Sequence, residues 1–301
     1  MPSSNDWIDD HALQREAALM SRRALLQGGI AGVLAAGGLT AYEIYQARYV
    51  NPYAPVLERI EIAVPAGSED LAGLRIGFIT DTHVGPFIDI DDLIRALDLI
   101  RAETPHLILL GGDYVSESPR YAPETAREIS RLLSEAPLCG YGVIGNHDLS
   151  VSRTRVQEAL VSVGIPVLRN QTAIVTYGGA RLAIAGIDET LLGDPLPADT
   201  IGQAPDGVPV LALWHEPEFA EQAAELGAFA QLSGHTHGGQ IRIPGIGPVG
   251  LPIHGKRHVI GYGSADGMPV YTSRGVGVYR PPARFNCPPE VTLITLVAPT
   301  T

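Results

Sequence analysis

Residues 229–238 read FAQLSGHTHG, a short apolar run followed by two histidines enclosed by glycines. The run Phe229–Leu232 predicts a β-strand, and the pentapeptide Gly234–Gly238 lies directly beyond its end. Two imidazoles separated by one residue at a strand end can bind one metal ion or two adjacent ones. Alone, the pentapeptide is equally consistent with a turn that carries two solvated histidines, so its interpretation depends on the other strand ends.

Predicted strands and helices alternate along most of the chain. The continuously apolar run Leu107–Leu110 is typical of a buried strand, and apolar residues at helical spacing predict a helix over 90–102. Strand–helix alternation followed by several short strands predicts an α/β fold with central sheets and helices outside. The predicted strands are 57–64, 74–80, 107–110, 141–144, 173–177, 181–187, 210–213, 229–232, 240–243, 270–272 and 291–297, and the predicted helices are 90–102, 123–135, 153–163 and 217–226.

Four further clusters of metal-type side chains each follow a predicted strand. In open α/β sheets the ligand crevice lies at the carboxyl ends of the strands, so we expect these clusters to converge. Their side chains are Asp, Asn and His without a thiolate, a set that suits Mn²⁺, Fe or Zn²⁺. The clusters are Asp81-Thr82-His83, Gly112-Asp113, Gly145-Asn146-His147-Asp148 and Trp214-His215-Glu216-Pro217.

The number of donors indicates two metal ions. One site of four to six positions leaves some of the seven donors unused, whereas two ions roughly 3.5–4 Å apart use them all. Asp113, at the end of a central strand, is the expected bridging carboxylate. Such a pair polarises phosphoryl oxygens and activates water, which predicts a phosphate ester as substrate. The seven candidate ligands are Asp81, His83, Asp113, Asn146, His215, His235 and His237.

The order and spacing of all five clusters resemble the calcineurin-like metallophosphoesterase superfamily, over roughly Leu57 to the C-terminus. The tail segments 238–245, 273–277 and 289–291 are similar to the bacterial YaeI/YkuE-type subgroup of membrane-associated or exported phosphoesterases. The resemblance implies a four-layer α/β/β/α sandwich. One departure is His106 after Pro105, where the subgroup usually has an acidic residue; we expect this position to be structural.

The resemblance also implies a role for each matching residue. His147 would protonate the leaving oxygen or stabilise the transition state, with Asp148 orienting it. Asp188, Arg242, Arg280 and Arg284 lie outside the expected site, although the arginines could bind a substrate phosphate or equally pair with surface acids. The implied ligand sets are Asp81, His83, Asp113 and His237 for the first metal, and Asp113, Asn146, His215 and His235 for the second.

The composition excludes one class of partner. A formal charge of −12 without a basic stretch argues against nucleic acid. Two cysteines, Cys139 and Cys287, are too few for a disulfide framework, and either one bridge or two buried thiols is consistent with the sequence.

Residues 1–44 are predicted to be a targeting segment. Ser21-Arg22-Arg23 and the apolar stretch to Ala41 resemble a twin-arginine export signal, and a signal-anchor with a chance arginine pair is the alternative. No clean cleavage site follows, which favours a retained membrane anchor or late cleavage. Residues 45–55 are expected to be a linker and 56–301 the metallophosphoesterase domain, placed in the periplasm or on the outer face of the cytoplasmic membrane.

The sequence therefore predicts a dinuclear phosphodiesterase that uses two divalent metals, Mn, Zn or Fe. A phospholipid-type substrate is suggested by the proximity of the anchor alone. The first alternative is a phosphomonoesterase or phosphoprotein phosphatase on the same metals. The second is a non-catalytic metal-binding scaffold, although none of the motif residues is lost.

Overall fold

In a computed structural model, the described residues are 37–299, and they divide into two units. The N-terminal unit ends at Gln46, the second begins at Ala47, and residues 37–49 are helical. Among residues 37–299, no helix is both long and apolar enough to cross a membrane. The arginine pair of the predicted signal lies outside the described residues, so export and anchoring stay predictions.

Five strands form the first sheet, in the order β1-β13-β2-β3-β4. Neighbouring strands are parallel except β13 and β2, which are antiparallel. The C-terminal strand β13 is therefore inserted beside β2, and the carboxyl ends of β2, β3 and β4 lie at one edge. The strands are β1 (Val56–Ala63), β2 (Arg75–Ile79), β3 (Leu107–Leu110), β4 (Gly140–Gly142) and β13 (Glu290–Val297).

Six strands form the second sheet, in the order β11-β12-β8-β7-β6-β5. Its central strands are parallel, and an antiparallel strand closes each edge. The strands are β5 (Gln171–Tyr177), β6 (Ala180–Gly186), β7 (Val210–Leu213), β8 (Ala230–Ser233), β11 (Gly261–Ala265) and β12 (Met268–Thr272). A separate small hairpin pairs β9 (Arg242–Ile243) with β10 (Gly247–Pro248).

Four of the α-helices given below connect neighbouring parallel strands, and the one over Asn146–Ser162 leads from the first sheet to the second. Helix α1 begins at a reciprocal cap, in which the Asp89 carboxylate accepts from the Asp92 N–H and the Asp92 carboxylate accepts from the Asp89 N–H. Helix α3 is interrupted at Ser152, whose φ and ψ are 174° and 98°. The α-helices are α1 (Ile90–Arg101), α2 (Ala122–Glu135), α3 (Asn146–Ser162), α4 (Pro197–Ile201) and α5 (Ala220–Glu225).

Strand β3 shows how the layers are built. Ile108 and Leu110 pack with α1, α2 and α3 in an outer core, whereas Leu107 and Leu109 face the second sheet in an inter-sheet core. A third core lies beyond the second sheet, where Ala212 and its neighbours pack against α4 and α5. Helices therefore cover both outer faces of two stacked sheets, and the predicted α/β/β/α fold is confirmed.

Several predicted bounds are wrong. The strand predicted over 141–144 spans Gly140–Gly142, the helix predicted over 153–163 already begins at Asn146, and the strand predicted over 240–243 is reduced to Arg242–Ile243. The helix predicted over 217–226 is a 3-10 turn, Pro217–Phe219, followed by α5. The expected linker 45–55 is helical to residue 49 and then forms a 3-10 turn.

Candidate metal centre

The predicted site residues meet where β2, β3, β4, β7 and β8 end. Cross-links fix these strand ends to one another: the Asp81 N–H donates to the Gly112 carbonyl at 2.9 Å, and the Gly234 N–H donates to the His215 carbonyl at 3.0 Å. Both sheets contribute, and together they form what we call the strand-end cluster. Its members are Asp81, His83, Asp113, Asn146, His147, His215, His235 and His237.

Asp113 lies at the centre of the strand-end cluster. Its Oδ2 is 3.5 Å from His83 Nε2 and 3.3 Å from His215 Nε2, so one carboxylate oxygen faces histidines from both sheets. Asp81 faces the other side, with Oδ1 3.5 Å from His237 Nε2. Three groups have ligand atoms within 4.8 Å of one another: Asp81 with His83 and His237, His83 with Asp113 and His147, and Asp81 with Asp113 and His215.

In the second sheet, the hydrogen bonding of His215 leaves one ring nitrogen available to a cation. His215 Nδ1 lies 2.7 Å from the Gly111 carbonyl oxygen, which places the ring proton on Nδ1 and leaves a lone pair on the buried Nε2. That Nε2 has no hydrogen-bond partner among the described residues. A buried, unpartnered lone pair facing a carboxylate is costly unless a cation or proton lies between them, so the donor set fits a metal ion.

His235 and Asn146 fit the same interpretation. His235 Nε2 is 2.7 Å from the Ile253 carbonyl oxygen, and His235 Nδ1 is 2.9 Å from Asn146 Oδ1. A neutral imidazole donates from one nitrogen only, so Nδ1 and the amide oxygen present lone pairs to each other. A cation bound by both atoms removes this conflict.

Burial keeps most of the histidines neutral. It is the largest cause that lowers the pKa of His83 to about 3 and that of His235 to about 4, and it also holds the pKa of His237 well below its usual value. His215 differs: burial lowers its pKa, but the carboxylates of Asp113, Asp81 and Glu216 together raise the pKa well above the usual value. The field of the strand-end cluster therefore favours positive charge beside Asp113.

The backbone of the ligands is strained. Five of the seven predicted ligands have a left-handed φ, which costs a residue other than glycine on the order of 1 kcal/mol or more. Such conformations persist only where surrounding contacts fix them, and they concentrate at functional sites. The five are Asp81 at 50°, His83 at 46°, Asp113 at 55°, His235 at 69° and His237 at 51°.

The Asp148 carboxylate is bonded to backbone N–H groups on both sides of the site. Its Oδ1 accepts from the Tyr114 and Val115 N–H groups at 2.9 and 3.2 Å, and its Oδ2 accepts from the Gly145 N–H at 3.1 Å. The buried carboxylate ties the loop after β3 to the start of α3. With these partners Asp148 would influence His147 through the backbone, and the orienting role implied by the resemblance stays a prediction.

The His147 ring lies half-buried at the cavity. Its backbone N–H donates to Asp113 Oδ1 at 2.8 Å, and its ring centre is 4.7 Å from that of His83 and 4.2 Å from that of Tyr279. The cavity has a volume of about 390 Å³, and its lining includes His147, His235, His237 and Arg280. A substrate in this cavity therefore reaches the strand-end cluster and His147 together.

The residues left off the predicted site have structural partners. Arg284 is fully buried and donates to the carbonyls of Gly275, Gly277 and Cys287, so it does not face the cavity. Asp188 accepts from Arg169 Nε at 2.8 Å, and Arg242 donates to the Gly238 carbonyl. His106 Nδ1 accepts from the Arg75 N–H at 3.1 Å, which fits its expected structural role. Cys139 is exposed, Cys287 is buried, and both are free thiols.

Sequence reasoning missed the segment 274–279, which packs against the strand-end cluster from the side of β12. The Gly277 N–H donates to the Asp81 carbonyl at 2.6 Å, and a Cβ on Gly275 would lie 2.5 Å from Asp81 Cβ. The segment Ser273–Gly277 belongs to the resemblance to the metallophosphoesterase family. Its contact with Asp81, however, joins residues almost 200 positions apart, so no local sequence pattern predicts it.

Known proteins match the chain along most of its length. Residues 74–239, more than half of the chain, match the calcineurin-like phosphoesterase family. The "Uncharacterized metallophosphoesterase YkuE" of Bacillus subtilis (strain 168) is 34% identical over 284 residues, covering 92% of this chain and 98% of that protein. The "Phosphodiesterase YaeI" of Escherichia coli (strain K12) is 32% identical over 286 residues, covering 93% and 100%. The family match, these identities and the buried Asp and His groups agree: the chain belongs to the calcineurin-like metallophosphoesterase family and is a phosphoric ester hydrolase.

Proposed function

We propose that the chain is a dinuclear metal-dependent phosphodiesterase. The observation that carries this proposal is the Asp113 carboxylate, whose Oδ2 lies within 3.5 Å of histidine nitrogens from both sheets. A carboxylate in this position can bridge two cations. The proposed ligand sets are Asp81, His83, Asp113 and His237 for one cation, and Asp113, Asn146, His215 and His235 for the other. Their Asp, Asn and His donors suit Mn, Fe or Zn.

Two divalent cations at the strand-end cluster would supply Lewis-acid polarisation of the ester and a deprotonated water. The chain supplies the leaving-group proton through His147, whose half-buried ring borders the cavity. The preference for a diester is supported by the similarity to the phosphodiesterase YaeI of Escherichia coli. A phosphomonoesterase or phosphoprotein phosphatase on the same residues is the competing function.

Hydrolysis of two chromogenic substrates tests the proposal. The full chain, loaded separately with Mn²⁺, Zn²⁺ or Fe²⁺, is given bis(4-nitrophenyl) phosphate and 4-nitrophenyl phosphate. We expect the diester to be cleaved faster than the monoester, and chelator to abolish the reaction. Asp113→Asn should lose more activity than the ~10–100-fold that is typical when a residue hydrogen-bonded to a metal ligand is replaced. The exposed Asp206→Asn is the matched control. Faster cleavage of the monoester establishes the competing function, and cleavage of neither ester refutes both.

We also propose, from the N-terminal sequence, that the protein is exported by a twin-arginine route and acts in the periplasm or at the outer face of the cytoplasmic membrane. Arg22→Lys combined with Arg23→Lys should then retain the protein in the cytoplasm. Unchanged export of this double variant would show that another route is used. Phospholipids added to the substrate screen test the suggestion that the enzyme acts on a membrane component.

A further inference from the structure

One wall of the active-site cavity is apolar and comes from a single segment of chain. The cavity of about 390 Å³ is lined on one side by the strand-end cluster and on another by Ile241, Val249, Leu251 and Pro252, which we call the apolar wall. Both line the same cavity, so a substrate whose phosphate ester lies at the cluster can place a covalently attached group against the apolar wall. Cavities of this size and lining accommodate apolar parts of small ligands.

The polar side chains between the cluster and the apolar wall already have partners. The Gln240 amide donates to the Tyr279 and Pro281 carbonyls and accepts from the Tyr279 N–H. The Thr236 hydroxyl donates to the Val259 carbonyl at 2.7 Å and accepts from the Gly238 N–H. These groups have little capacity left for a sugar hydroxyl or a base edge, so the wall offers shape and apolar contact rather than polar recognition.

Positive charge is scarce in the cavity. Arg280 contributes a guanidinium group to the lining, but both its Nε and its Nη2 donate to Glu117 Oε1, at 2.9 and 2.7 Å. A substrate with several phosphates would need more cations than this wall supplies. The lining therefore suits a single phosphodiester whose second ester group is uncharged.

The apolar wall continues onto the protein surface. Val249 lines the cavity and is 63% exposed, and three more large aliphatic side chains on the same segment are exposed: Ile243 at 40%, Ile246 at 77% and Ile253 at 67%. Between Leu57 and Gln240, by contrast, the exposed large aliphatic side chains are scattered over 36 positions: Val161, Ile174, Leu192 and Leu196. A concentration of exposed aliphatics beside a catalytic cavity indicates a binding surface, whereas scattered ones do not.

The segment is held in a fixed relation to the cluster. The Ile253 carbonyl lies 2.7 Å from His235 Nε2, the Arg242 guanidinium donates to the Gly238 carbonyl at 2.8 Å, and the Val249 N–H donates to the Ile241 carbonyl at 3.0 Å. Because the wall is bonded to the residues beside the metal ligands, it can position a substrate group with respect to the reacting phosphorus.

We propose that the apolar wall and its exposed continuation bind a linear aliphatic group on the non-leaving side of the phosphodiester. This inference rests on the proposed phosphodiesterase function and names its substrate class: phosphodiesters in which one ester group carries a linear alkyl chain. A chain that fills the wall and passes Val249 would extend along Ile246.

A series of 4-nitrophenyl n-alkyl phosphodiesters, from methyl to octyl and kept below micelle-forming concentrations, tests the proposal with the metal-loaded full chain. We expect kcat/KM to rise about fourfold per methylene, the equivalent of ~0.8 kcal/mol for each buried methylene, until the wall is filled. Four added methylenes then give an increase on the order of 10²-fold. A flat series in an enzyme that cleaves the methyl ester overturns the inference and leaves the phosphodiesterase function standing.

Two matched valine variants locate the effect. Val249→Asn should reduce the octyl-to-methyl ratio of kcat/KM by at least tenfold, whereas Val161→Asn, at a valine 55% exposed on α3, should leave the ratio unchanged. Both side chains are on the surface, so neither substitution opens a cavity in a core. Equal ratios in the two variants overturn the inference. Equal ratios together with weaker binding of Val249→Asn to phosphatidylcholine vesicles would assign the segment to membrane contact instead.

Binding of alkyl phosphonates separates failure of the subsite from failure of the function. Calorimetry should show tighter binding of octyl than of methyl phosphonate, a negative heat-capacity change, and loss of the difference in Val249→Asn. If no ester is cleaved but this pattern holds, the apolar subsite stands and the catalytic proposal falls. Binding that is independent of chain length overturns the subsite whatever the hydrolysis results.

Discussion

Gly275 presses against the proposed metal ligand Asp81, and its replacement by alanine tests whether that contact sets the position of the Asp81 carboxylate. The residue has φ +69°, and a Cβ there would lie 2.5 Å from Asp81 Cβ and 3.3 Å from Asp81 Cγ. Neither the Asp81 side chain nor the Gly275 backbone can move easily. Asp81 is fully buried, and the Gly275 carbonyl accepts from both the Glu290 N–H and the Arg284 guanidinium at 3.0 Å.

The size of the effect follows from these distances. Carbon atoms pack at ~3.5 Å or more, so Asp81 or the Gly275 backbone must move by about 1 Å. Metal–ligand distances tolerate about 0.2 Å, and a misplacement of ~1 Å costs on the order of 10²-fold in rate. We therefore expect Gly275→Ala to lose about 10²-fold in diester hydrolysis and to bind the cations more weakly. The left-handed alanine should lower the free energy of unfolding by a further ~1–2 kcal/mol.

Gly261→Ala is the matched control. Gly261 has φ +71°, and a Cβ there would meet no heavy atom within 4 Å. The backbone penalty is therefore the same at both positions, and only Gly275 adds the clash with Asp81. We expect Gly261→Ala to lose a similar ~1–2 kcal/mol of unfolding free energy while keeping wild-type activity.

Three measurements decide the comparison: urea unfolding, hydrolysis of bis(4-nitrophenyl) phosphate at saturating Mn²⁺, and calorimetric titration of the metal-free protein with Mn²⁺. The reasoning is correct if Gly275→Ala loses at least as much stability as Gly261→Ala and only Gly275→Ala loses rate and cation affinity. Equal rates and equal affinities for the two alanine variants would refute it, because Gly275 would then have no part in positioning Asp81.

Four further changes have expected outcomes. His147→Gln should lower kcat by at least ~10²-fold with unchanged metal content; loss of one metal per chain would instead make His147 a ligand, as its distance to His83 and Asp113 allows. Arg284→Met should lower the free energy of unfolding by ~4 kcal/mol or more because buried carbonyls lose their donor. Arg284→Lys should lower it clearly less, and equal losses in denaturant titrations would contradict this. Chelator should lower the Tm by about 10–20 °C, since each of the two cations, present at ~100 times its Kd, contributes ~2.7 kcal/mol, and an unchanged Tm counts against tight binding. Burial, followed by the charge of Arg75, lowers the pKa of His106, so its contribution to stability is present above the unfolded pKa and is lost as pH falls below it. His106→Leu should therefore cost ~1 kcal/mol at pH 8 and less at pH 5, measured by urea unfolding at both pH values, and a cost independent of pH would contradict this.

The sequence predicts elements whose signals are local. Leu107–Leu110 is apolar throughout because both faces of β3 are buried, and its predicted bounds match the structure. The start of α3 was missed because Asn146, His147 and Asp148 read as a polar loop. Asp148 nevertheless occupies the third position of the helix, where its carboxylate accepts from the Gly145 N–H and caps the first turn.

The position of the site could be predicted, but its strained geometry could not. Parallel strands place their carboxyl ends at one edge of a sheet, so the meeting of Asp81 and Asp113 follows from topology alone, whereas His215 joins them only because the second sheet stacks on the first. The left-handed φ of Asp81 and Asp113 depends on contacts between distant segments, among them the Asp81 N–H donating to the Gly112 carbonyl. The role of Gly275 likewise depends on a close approach that has no counterpart in local sequence.

The strand-end cluster also joins the two sheets, and this explains why its proposed ligands come from both of them. His215 of the second sheet bonds to the Gly111 carbonyl at the end of β3, and the His235 N–H donates to the Asp81 carboxylate at 3.0 Å. The same side chains that face the proposed cations therefore set the spacing of the sheets at this edge. A shift of one sheet against the other would break these bonds and separate Asp113 from His215 at the same time. Because the inter-sheet core packs directly behind the cluster, its packing is part of the metal geometry rather than a separate support for the fold.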